Sequence, residues 1–223
     1  MGVDDQGRLE HMQLKDRVYH HLRDGIIDGT YDVGVALREV EIAQRLGVSK
    51  TPVREAFVRL EKDRLVELIP YRGAVVAGYT AADLEEISQV RQLVEGACAR
   101  SAARHATEKD VAEIERNVEL SREALGKGRV ERVAQLLDAF DQLMYRHSRN
   151  KWLDELVENL EGHQRRIGRL TVDIPGRLEK SVEQHQRILD AIRNRDERRA
   201  ERAMQAHIAS VMDDRLKAFV SAS

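Results

Sequence analysis

The run EIAQRLGVSKTPVREAF, from Glu41 to Phe57, decides the fold of the first part of the chain. Apolar residues at helical spacing stop at Gly47, and Ser49 then begins a second segment whose outer positions are polar and basic. Two short helices that meet at a glycine-containing turn, the second with a basic outer face, are typical of a helix-turn-helix. Double-stranded DNA is therefore the first partner that the sequence predicts.

The residues on either side extend this motif to a winged helix-turn-helix. Apolar residues at helical spacing predict a first helix from Met12 to Asp28. Further helices are expected from Arg38 to Leu46 and from Ser49 to Asp63. Two short apolar runs then flank Pro70–Gly73, a pattern that predicts a β-hairpin with its tip at these residues. Three helices followed by a hairpin complete the winged motif.

From Thr80 the pattern is helical almost to the end of the chain. Thr80 is a suitable helix cap, with Asp83 in the first turn, and later breaks divide the remainder into about six helices. Such a series predicts an antiparallel bundle. The expected fold class is therefore mainly α, with a disordered lead-in at residues 1–11, a winged helix-turn-helix at 12–78 and an all-helical antiparallel bundle at 79–223.

The composition narrows the class of protein. Charged residues make up 34% of the 223 residues and aromatic residues only 4%, which favours a helical protein over a β-sandwich. The net charge is −2, but six Lys or Arg residues face three Asp or Glu residues between Gln44 and Arg64, as suits a specific DNA-binding protein. The single cysteine, Cys98, and the lack of a long apolar run predict a soluble protein of the reducing cytoplasm, with no membrane partner.

The first domain resembles the DNA-binding domain of the GntR family of bacterial transcription regulators. The matching stretches are IIDGTYDVGVALREVEIAQRLGVSKTPVREAFVRLEKDRLV and PYRGAVVA. The second domain is similar to the FCD-type ligand-binding domain of the FadR-like subfamily, through ISQVRQLVEGACARSAA, AFDQLMYRHSRNKWL and EQHQRILDAIRNRDERRAERAMQAH. This resemblance implies a homodimer, here expected to be a repressor, that binds an inverted repeat and whose affinity for DNA is changed by a small carboxylate metabolite. Residues 79–223 would then bind the effector and dimerise.

The resemblance also identifies one departure in the first domain. The family usually has glycine at the position of Arg64, just after the second helix of the motif. We expect Arg64 to fit there if the turn stays helical.

The candidates for DNA contact lie on the second helix of the motif, at the start of the helix before it and at the wing. Ser49 is placed to cap the recognition helix with its hydroxyl group. Arg54 is the candidate for a bidentate contact with guanine; the alternative is a surface ion pair with Glu55 or Glu61. By the family match Arg38 also reaches the DNA, and the wing tip can approach the minor groove or a phosphate. The full set is Arg38, Ser49, Lys50, Thr51, Arg54, Arg72 and Gly73.

A metal site inside the bundle is implied by the resemblance. Many FCD-type domains bind a divalent metal through Asp-x-x-x-His on one helix and a His on each of two later helices. His185 and His207 match the later positions, whereas Asp141 stands where the family usually has the first His. Asp141, His185 and His207 can still form a two-His-one-carboxylate face for zinc, nickel or manganese. The alternative is that Asp141 hydrogen-bonds the histidines or an arginine without an ion.

Two residues are candidates for direct contact with the effector. Arg91 and Glu95 match a family pair at i, i+4 spacing, and Arg91 either meets an anionic effector or forms a structural ion pair. His163, which precedes further cationic residues, is the second candidate.

Two other functions stay open at this point. One is a metalloenzyme bundle fused to a DNA-binding domain, although no nucleophile motif or phosphate-binding glycine loop accompanies the histidines. The other is an architectural DNA-binding dimer that has no effector.

Overall fold

The structure, a computed structural model, describes residues 13–70 and 72–221, so the predicted lead-in and Tyr71 at the wing tip lie outside it. The chain divides into two compact units, Met1–Gly78 and Tyr79–Ser223. The predicted fold class is confirmed, because helices dominate both units and the only described sheet belongs to the first.

The first unit is a winged helix-turn-helix. In chain order its described elements are α1 (Leu14–Asp28), β1 (Ala36–Leu37), α2 (Glu39–Leu46), α3 (Lys50–Lys62), β2 (Val66–Ile69) and β3 (Gly73–Val76). The strands form an antiparallel sheet in the order β1-β3-β2. The sequence pattern predicted the β2–β3 hairpin but not β1, since two residues are too few to show the alternation of a strand.

Apolar faces of α1 and α3 form the core of this unit. Leu22 and Ile26 of α1 are fully buried, as are Val53 and Leu60 of α3. These spacings of four and seven residues place each pair on one face of its helix. Between α2 and α3, Gly47 adopts a left-handed conformation with φ of +64° and ends α2, as the sequence predicted for the turn. The buried face of α3 consequently leaves its opposite face to solvent.

Two local predictions are wrong. Ser49 occupies the cap position of α3 with extended backbone, but its side chain makes no capping hydrogen bond. A capping hydroxyl commonly accepts from the third helical N–H, and here the third residue is Pro52, which has no N–H. Arg64 does not continue a helical turn, because its φ of +55° lies in the left-handed region. That conformation explains why glycine is favoured at this position.

The second unit is a bundle of helices. Its described elements are α4 (Ala81–His105), α5 (Glu108–Gly126), α6 (Val130–Tyr145), α7 (Lys151–Arg169), α8 (Arg177–Arg193) and α9 (Glu197–Ser221). Thr80 caps α4 as predicted, because its hydroxyl accepts from the Asp83 N–H while the Asp83 side chain accepts from the Thr80 N–H. The break predicted at residues 126–128 begins on the last residue of α5. The other predicted breaks fall between the helices, at residues 106–107, 149–150, 173–176 and 195–196.

Long-range packing in the bundle centres on α4, α8 and α9. Helix α4 packs along α9, and α8 packs against α9 and α5. Cys98 of α4 is fully buried in this core, and burial raises the pKa of its thiol to about 12, so it is a packing residue. None of the helices in the described residues is long and apolar enough to cross a membrane.

Candidate functional site

The N-terminal part of α3 presents an exposed polar edge, which we call the recognition edge and define as Ser49, Lys50, Thr51 and Arg54. All four residues are exposed, and the first turn of α3 contains no acidic residue. The free N–H groups and the positive end of the helix dipole point from this turn. Because the Ser49 hydroxyl is not used for capping, it too can meet an external partner. This arrangement suits a phosphate or a base edge.

Arg54 forms an ion pair, but with neither of the partners considered from the sequence. Its Nε lies 2.6 Å from Oε2 of Glu39 at the start of α2, and 64% of its side chain remains exposed. The contact uses Nε, and among the described residues the structure shows no hydrogen bond from Nη1 or Nη2 of Arg54. A bidentate contact with guanine uses two such donors.

The other arginines predicted to contact DNA are also exposed. Arg38 is the residue before α2 and forms a surface ion pair with Glu41, with 3.0 Å between Nη1 and Oε1. Arg72 is exposed in the wing, where its backbone N–H donates to the Ile69 carbonyl at 3.0 Å and closes the turn. Exposed ion pairs of this kind are weak, so Arg38 can exchange Glu41 for a phosphate.

Gly73 has a structural role that the sequence did not reveal. Its φ is +96°, and a Cβ atom built on it would lie 2.3 Å from the carbonyl oxygen of Leu37. Only glycine allows β3 to approach β1 so closely. Gly73 thus shapes the wing, and its contact with DNA stays a prediction.

Arg59, further along α3, has a structural role in the packing of α3 against α1. Its guanidinium carbon lies 3.7 Å from the ring centroid of Tyr19, and its Nη1 lies 3.1 Å from Oδ1 of Asp16. Both partners are on α1, so Arg59 fixes α3 against α1.

A second group of polar residues is buried inside the bundle, where five helices contribute to it. We call this group the buried polar centre. It comprises Arg91 and Glu95 of α4, Asp141 and Tyr145 of α6, Gln164 of α7, His185 of α8 and His207 of α9. Polar groups taken so far from water require partners, and ligands often supply them.

A chain of hydrogen bonds holds Asp141 in this centre. The Tyr145 hydroxyl donates to Oε1 of Gln164 at 2.5 Å, and Nε2 of Gln164 donates to Oδ2 of Asp141. Oδ1 of Asp141 is buried without a hydrogen-bond partner in the described part of the chain. Burial, reinforced by the Glu95 carboxylate and offset by Arg91, raises the pKa of Asp141 well above its usual value. The centre therefore favours a carboxyl group that retains its proton.

The two predicted histidines point inward and meet, as the sequence indicated. Their ring centroids are 4.7 Å apart in an edge-on arrangement, and Phe140 stacks on His185 at 3.8 Å. Burial, followed by the charge of Arg177, lowers the pKa of His185 to about 3. Burial and the neighbouring His185 lower the pKa of His207 as well, so both imidazoles are neutral. Neither ring nitrogen of His185 has a hydrogen-bond partner among the described residues.

Arg91 and Glu95 form a fully buried ion pair. Nε and Nη2 of Arg91 lie 2.6 and 3.3 Å from the two carboxylate oxygens of Glu95. Burial is the largest single effect and lowers the pKa of Arg91, but the charge and hydrogen bonds of Glu95 together with nearby Tyr145 and Asp141 outweigh it, so the net shift is upward. Arg91 consequently remains a cation inside the bundle, close enough to Asp141 and Tyr145 to influence both.

His163 is placed differently from the other predicted residues. Its Nδ1 lies 2.8 Å from the hydroxyl of Tyr79, the first residue of the second unit. The next residue along α7, Gln164, belongs to the buried polar centre instead. Neither Gln164 nor Tyr145 could be predicted as a site residue, because a single Gln or Tyr on a helix carries no distinguishing pattern.

The metal prediction depends on how the acidic and histidine side chains assemble. Within the described residues, no three His, Cys, Asp or Glu side chains come together in a group that could hold a metal ion. The structure brings His185 to His207, while Gln164 engages Asp141. The unpartnered atoms of His185 and Asp141 nevertheless fit a bound polar group at this point.

Comparisons with known proteins agree with both units. Residues 14–76 match the gntR family of bacterial regulatory proteins, and residues 86–210 match the FCD domain. The HTH-type transcriptional repressor RspR of Escherichia coli (strain K12) is 30% identical over 200 residues, which cover 90% of this chain and 88% of RspR.

Solved structures give the same result. A putative GntR transcriptional regulator from Rhodococcus sp. RHA1 aligns with a TM-score of 0.73 and 28% identity, covering 92% of this chain and 98% of that one. E. coli McbR/YncC, at 24% identity and a TM-score of 0.73, covers 95% and 99% and supports the fold. These matches are to regulators, so the metalloenzyme alternative is not favoured. With its winged helix-turn-helix and its FCD-type bundle, the chain belongs to the GntR family of bacterial transcription regulators.

Proposed function

We propose that this regulator acts in the cytoplasm as a homodimeric repressor that binds a short inverted repeat in double-stranded DNA. The observation that carries the proposal is the recognition edge, which is polar, exposed and free of acidic residues in the first turn of α3. In the proposed complex this edge enters the major groove. Arg38, Arg72 and Gly73 contact the backbone or the minor groove on either side.

Selection of binding sites from a random DNA library with the full-length protein tests this proposal. We expect enrichment of a palindromic sequence, because a two-fold symmetric dimer recognises two equivalent half-sites. A promoter that carries the selected site should be repressed in a reporter strain and released when the gene is deleted. Enrichment of a single half-site, or none, would contradict the dimeric mode.

We further propose that the buried polar centre binds a small carboxylate effector. Support comes from Arg91, a permanent cation in a water-poor interior, and from the unpartnered atoms of His185 and Asp141. A carboxylate there would form strong charge-assisted hydrogen bonds with Arg91. His163 stays the second predicted contact. In this scheme, effector binding shifts the population of bundle conformations and so changes the affinity for DNA.

Thermal shift measurements with a panel of small mono- and dicarboxylates test the effector site. Removing Arg91 alone would leave the buried Glu95 charge unpaired, whereas replacing a whole buried ion pair by apolar residues is often tolerated. The variant is therefore Arg91→Met with Glu95→Leu, and Arg100→Ala on the exposed face of α4 is the control. We expect the double variant to lose the carboxylate response and keep operator binding. A double variant that retains the full response would rule out Arg91 as the anchor.

The proposed metal is zinc, nickel or manganese, held by His185 and His207 with Asp141 as the third ligand. Neutral imidazoles are suitable ligands for these ions, and a metal would supply a positive centre for the carboxylate when bound. The hydrogen bond between Gln164 and Asp141 favours the alternative, in which the effector meets the protein directly.

Elemental analysis of untagged protein purified without chelators distinguishes these two modes. The metal proposal predicts about one ion per chain, lost in the variant with both His185→Ala and His207→Ala. Metal-free protein with a full response to a carboxylate would establish direct binding.

A further inference from the structure

Arg177, the first residue of α8, is buried and joins α8 to α9. Its side chain is only 2% exposed. Its guanidinium donates hydrogen bonds to Ser181 at 3.2 Å, Ser210 at 3.0 Å, Asp214 at 2.6 Å and Oε1 of Gln184 at 2.6 Å. With so many partners on two helices, the guanidinium has little freedom to turn. The guanidinium therefore holds the side chain of Gln184 in one orientation.

The chemistry of these groups determines which atom of Gln184 faces Arg177. A guanidinium has donors only, so a well-formed contact requires the carbonyl oxygen of Gln184 and excludes its amide nitrogen. The same Oε1 lies 2.8 Å from Nδ1 of His207. Since a carbonyl oxygen can only accept, Nδ1 of His207 must carry a proton to make this hydrogen bond.

We propose that Arg177 and Gln184 are positioning residues that fix His207 in its Nδ1–H tautomer and so keep the Nε2 lone pair available to the buried polar centre. With Nδ1 as the donor to Gln184, an imidazole that carries a single proton has its lone pair on Nε2. Among the described residues, the structure shows a hydrogen bond of His207 at Nδ1 alone. A lone pair at this position attracts a metal cation and repels a bare carboxylate oxygen. The inference rests on the proposed ligand role of the buried polar centre. It specifies that His207 offers a lone pair, and not an N–H group, to the ligand.

The tautomer can be observed directly, without any ligand. Protein labelled with ¹⁵N at histidine, free of metal and effector, is studied by long-range ¹H–¹⁵N correlation at neutral pH, and the His207→Gln spectrum assigns the ring. We expect the proton of His207 on Nδ1. A proton on Nε2, or a doubly protonated ring, would overturn the inference.

Two substitutions at Gln184 separate positioning from general stability. Gln184→Leu removes the acceptor and is expected to release His207 to a mixture of tautomers, whereas Gln184→Glu keeps an acceptor for both neighbours and should retain Nδ1–H. Pure Nδ1–H in Gln184→Leu would show that Gln184 does not set the tautomer. If Gln184→Leu fails to fold, the wild-type tautomer still decides the inference.

Titration with Zn²⁺ alone measures the consequence for ligand binding. Loss of such a supporting partner typically weakens metal binding about 10- to 100-fold, and we expect this loss in Gln184→Leu but not in Gln184→Glu. Equal Zn²⁺ affinity in the wild type and both variants would overturn the positioning role. If the wild type shows Nδ1–H but binds no Zn²⁺, the proposed metal fails while the tautomer assignment stands.

Discussion

Arg64 lies two residues after the end of α3, in a conformation that suits glycine. Its φ is +55°, and its backbone N–H donates to the Glu61 carbonyl at 2.8 Å. The left-handed region costs a residue with a Cβ atom about 1–2 kcal/mol, partly offset by the greater freedom that glycine has in the unfolded chain. We expect Arg64→Gly to raise the free energy of unfolding in urea by up to about 1 kcal/mol. The matched control, Arg116→Gly in the middle of α5, should lower it by about 1 kcal/mol; a loss of stability in both would contradict this account.

Glu39 acts on the recognition edge through Arg54. The 2.6 Å ion pair between them restrains the arginine that we propose for guanine contact. Glu39→Gln removes a negative charge near DNA and loosens that restraint. We expect tighter binding to unrelated DNA and less discrimination between the operator and a site with the guanine replaced, measured by fluorescence anisotropy. Glu41→Gln, which releases the exposed Arg38, is the control. Unchanged discrimination in Glu39→Gln would exclude a positioning role for Glu39.

At the scale of elements, β1 and β3 meet through a glycine that has no room for a side chain. Gly34 and Gly73 both have positive φ, +82° and +96°, but only Gly73 faces a backbone oxygen, that of Leu37. Gly34→Ala should therefore cost only backbone strain, about 1 kcal/mol, and Gly73→Ala clearly more. Hydrogen exchange of the β3 amides measures the difference. Equal losses of stability in the two variants would mean that the close approach of β3 to β1 places no special steric demand on residue 73.

Most elements could be predicted from the sequence because their signals are local. Apolar spacing located the helices, and Thr80 with Asp83 predicted the start of α4 correctly. Strand β1 was not predicted because its two residues pair only with β3, which is distant in sequence. The predicted capping hydrogen bond at Ser49 is absent because Pro52 has no backbone N–H to donate to the Ser49 hydroxyl.

In the site, the prediction was accurate for residues whose neighbours show a pattern. His185 and His207 each lie beside apolar residues at helical spacing, and both are buried as expected. The glutamines that hold Asp141 and His207 were not predictable. Gln164 of α7 contacts Asp141 of α6, and Gln184 of α8 contacts His207 of α9. Nothing in the local sequence of either glutamine indicates which helix will face it.

At the scale of the whole molecule, the proposed homodimer needs an apolar surface. Leu93 of α4 and Trp152 of α7 are 70% and 65% exposed, which is unusual for such large apolar side chains. If the partner chain covers them, Leu93→Glu combined with Trp152→Glu should weaken dimerisation at least about 10-fold, since it places two charges in an apolar contact. Analytical ultracentrifugation measures this, with Val58→Glu in α3 as a control. A double variant that dimerises like the wild type would locate the interface elsewhere.

The central claim is that the recognition edge of α3 gives this regulator its DNA specificity. Its most direct test is the affinity of Arg54→Ala for the selected operator at about 150 mM salt, a physiological ionic strength. Loss of a bidentate guanine contact is worth about 1–3 kcal/mol, or about 5- to 150-fold in affinity. Lys62→Ala removes one positive charge from the exposed far end of the same helix and should change affinity much less. The account predicts that Arg54→Ala weakens the preference for the operator over unrelated DNA by about that factor; an unchanged preference would contradict it.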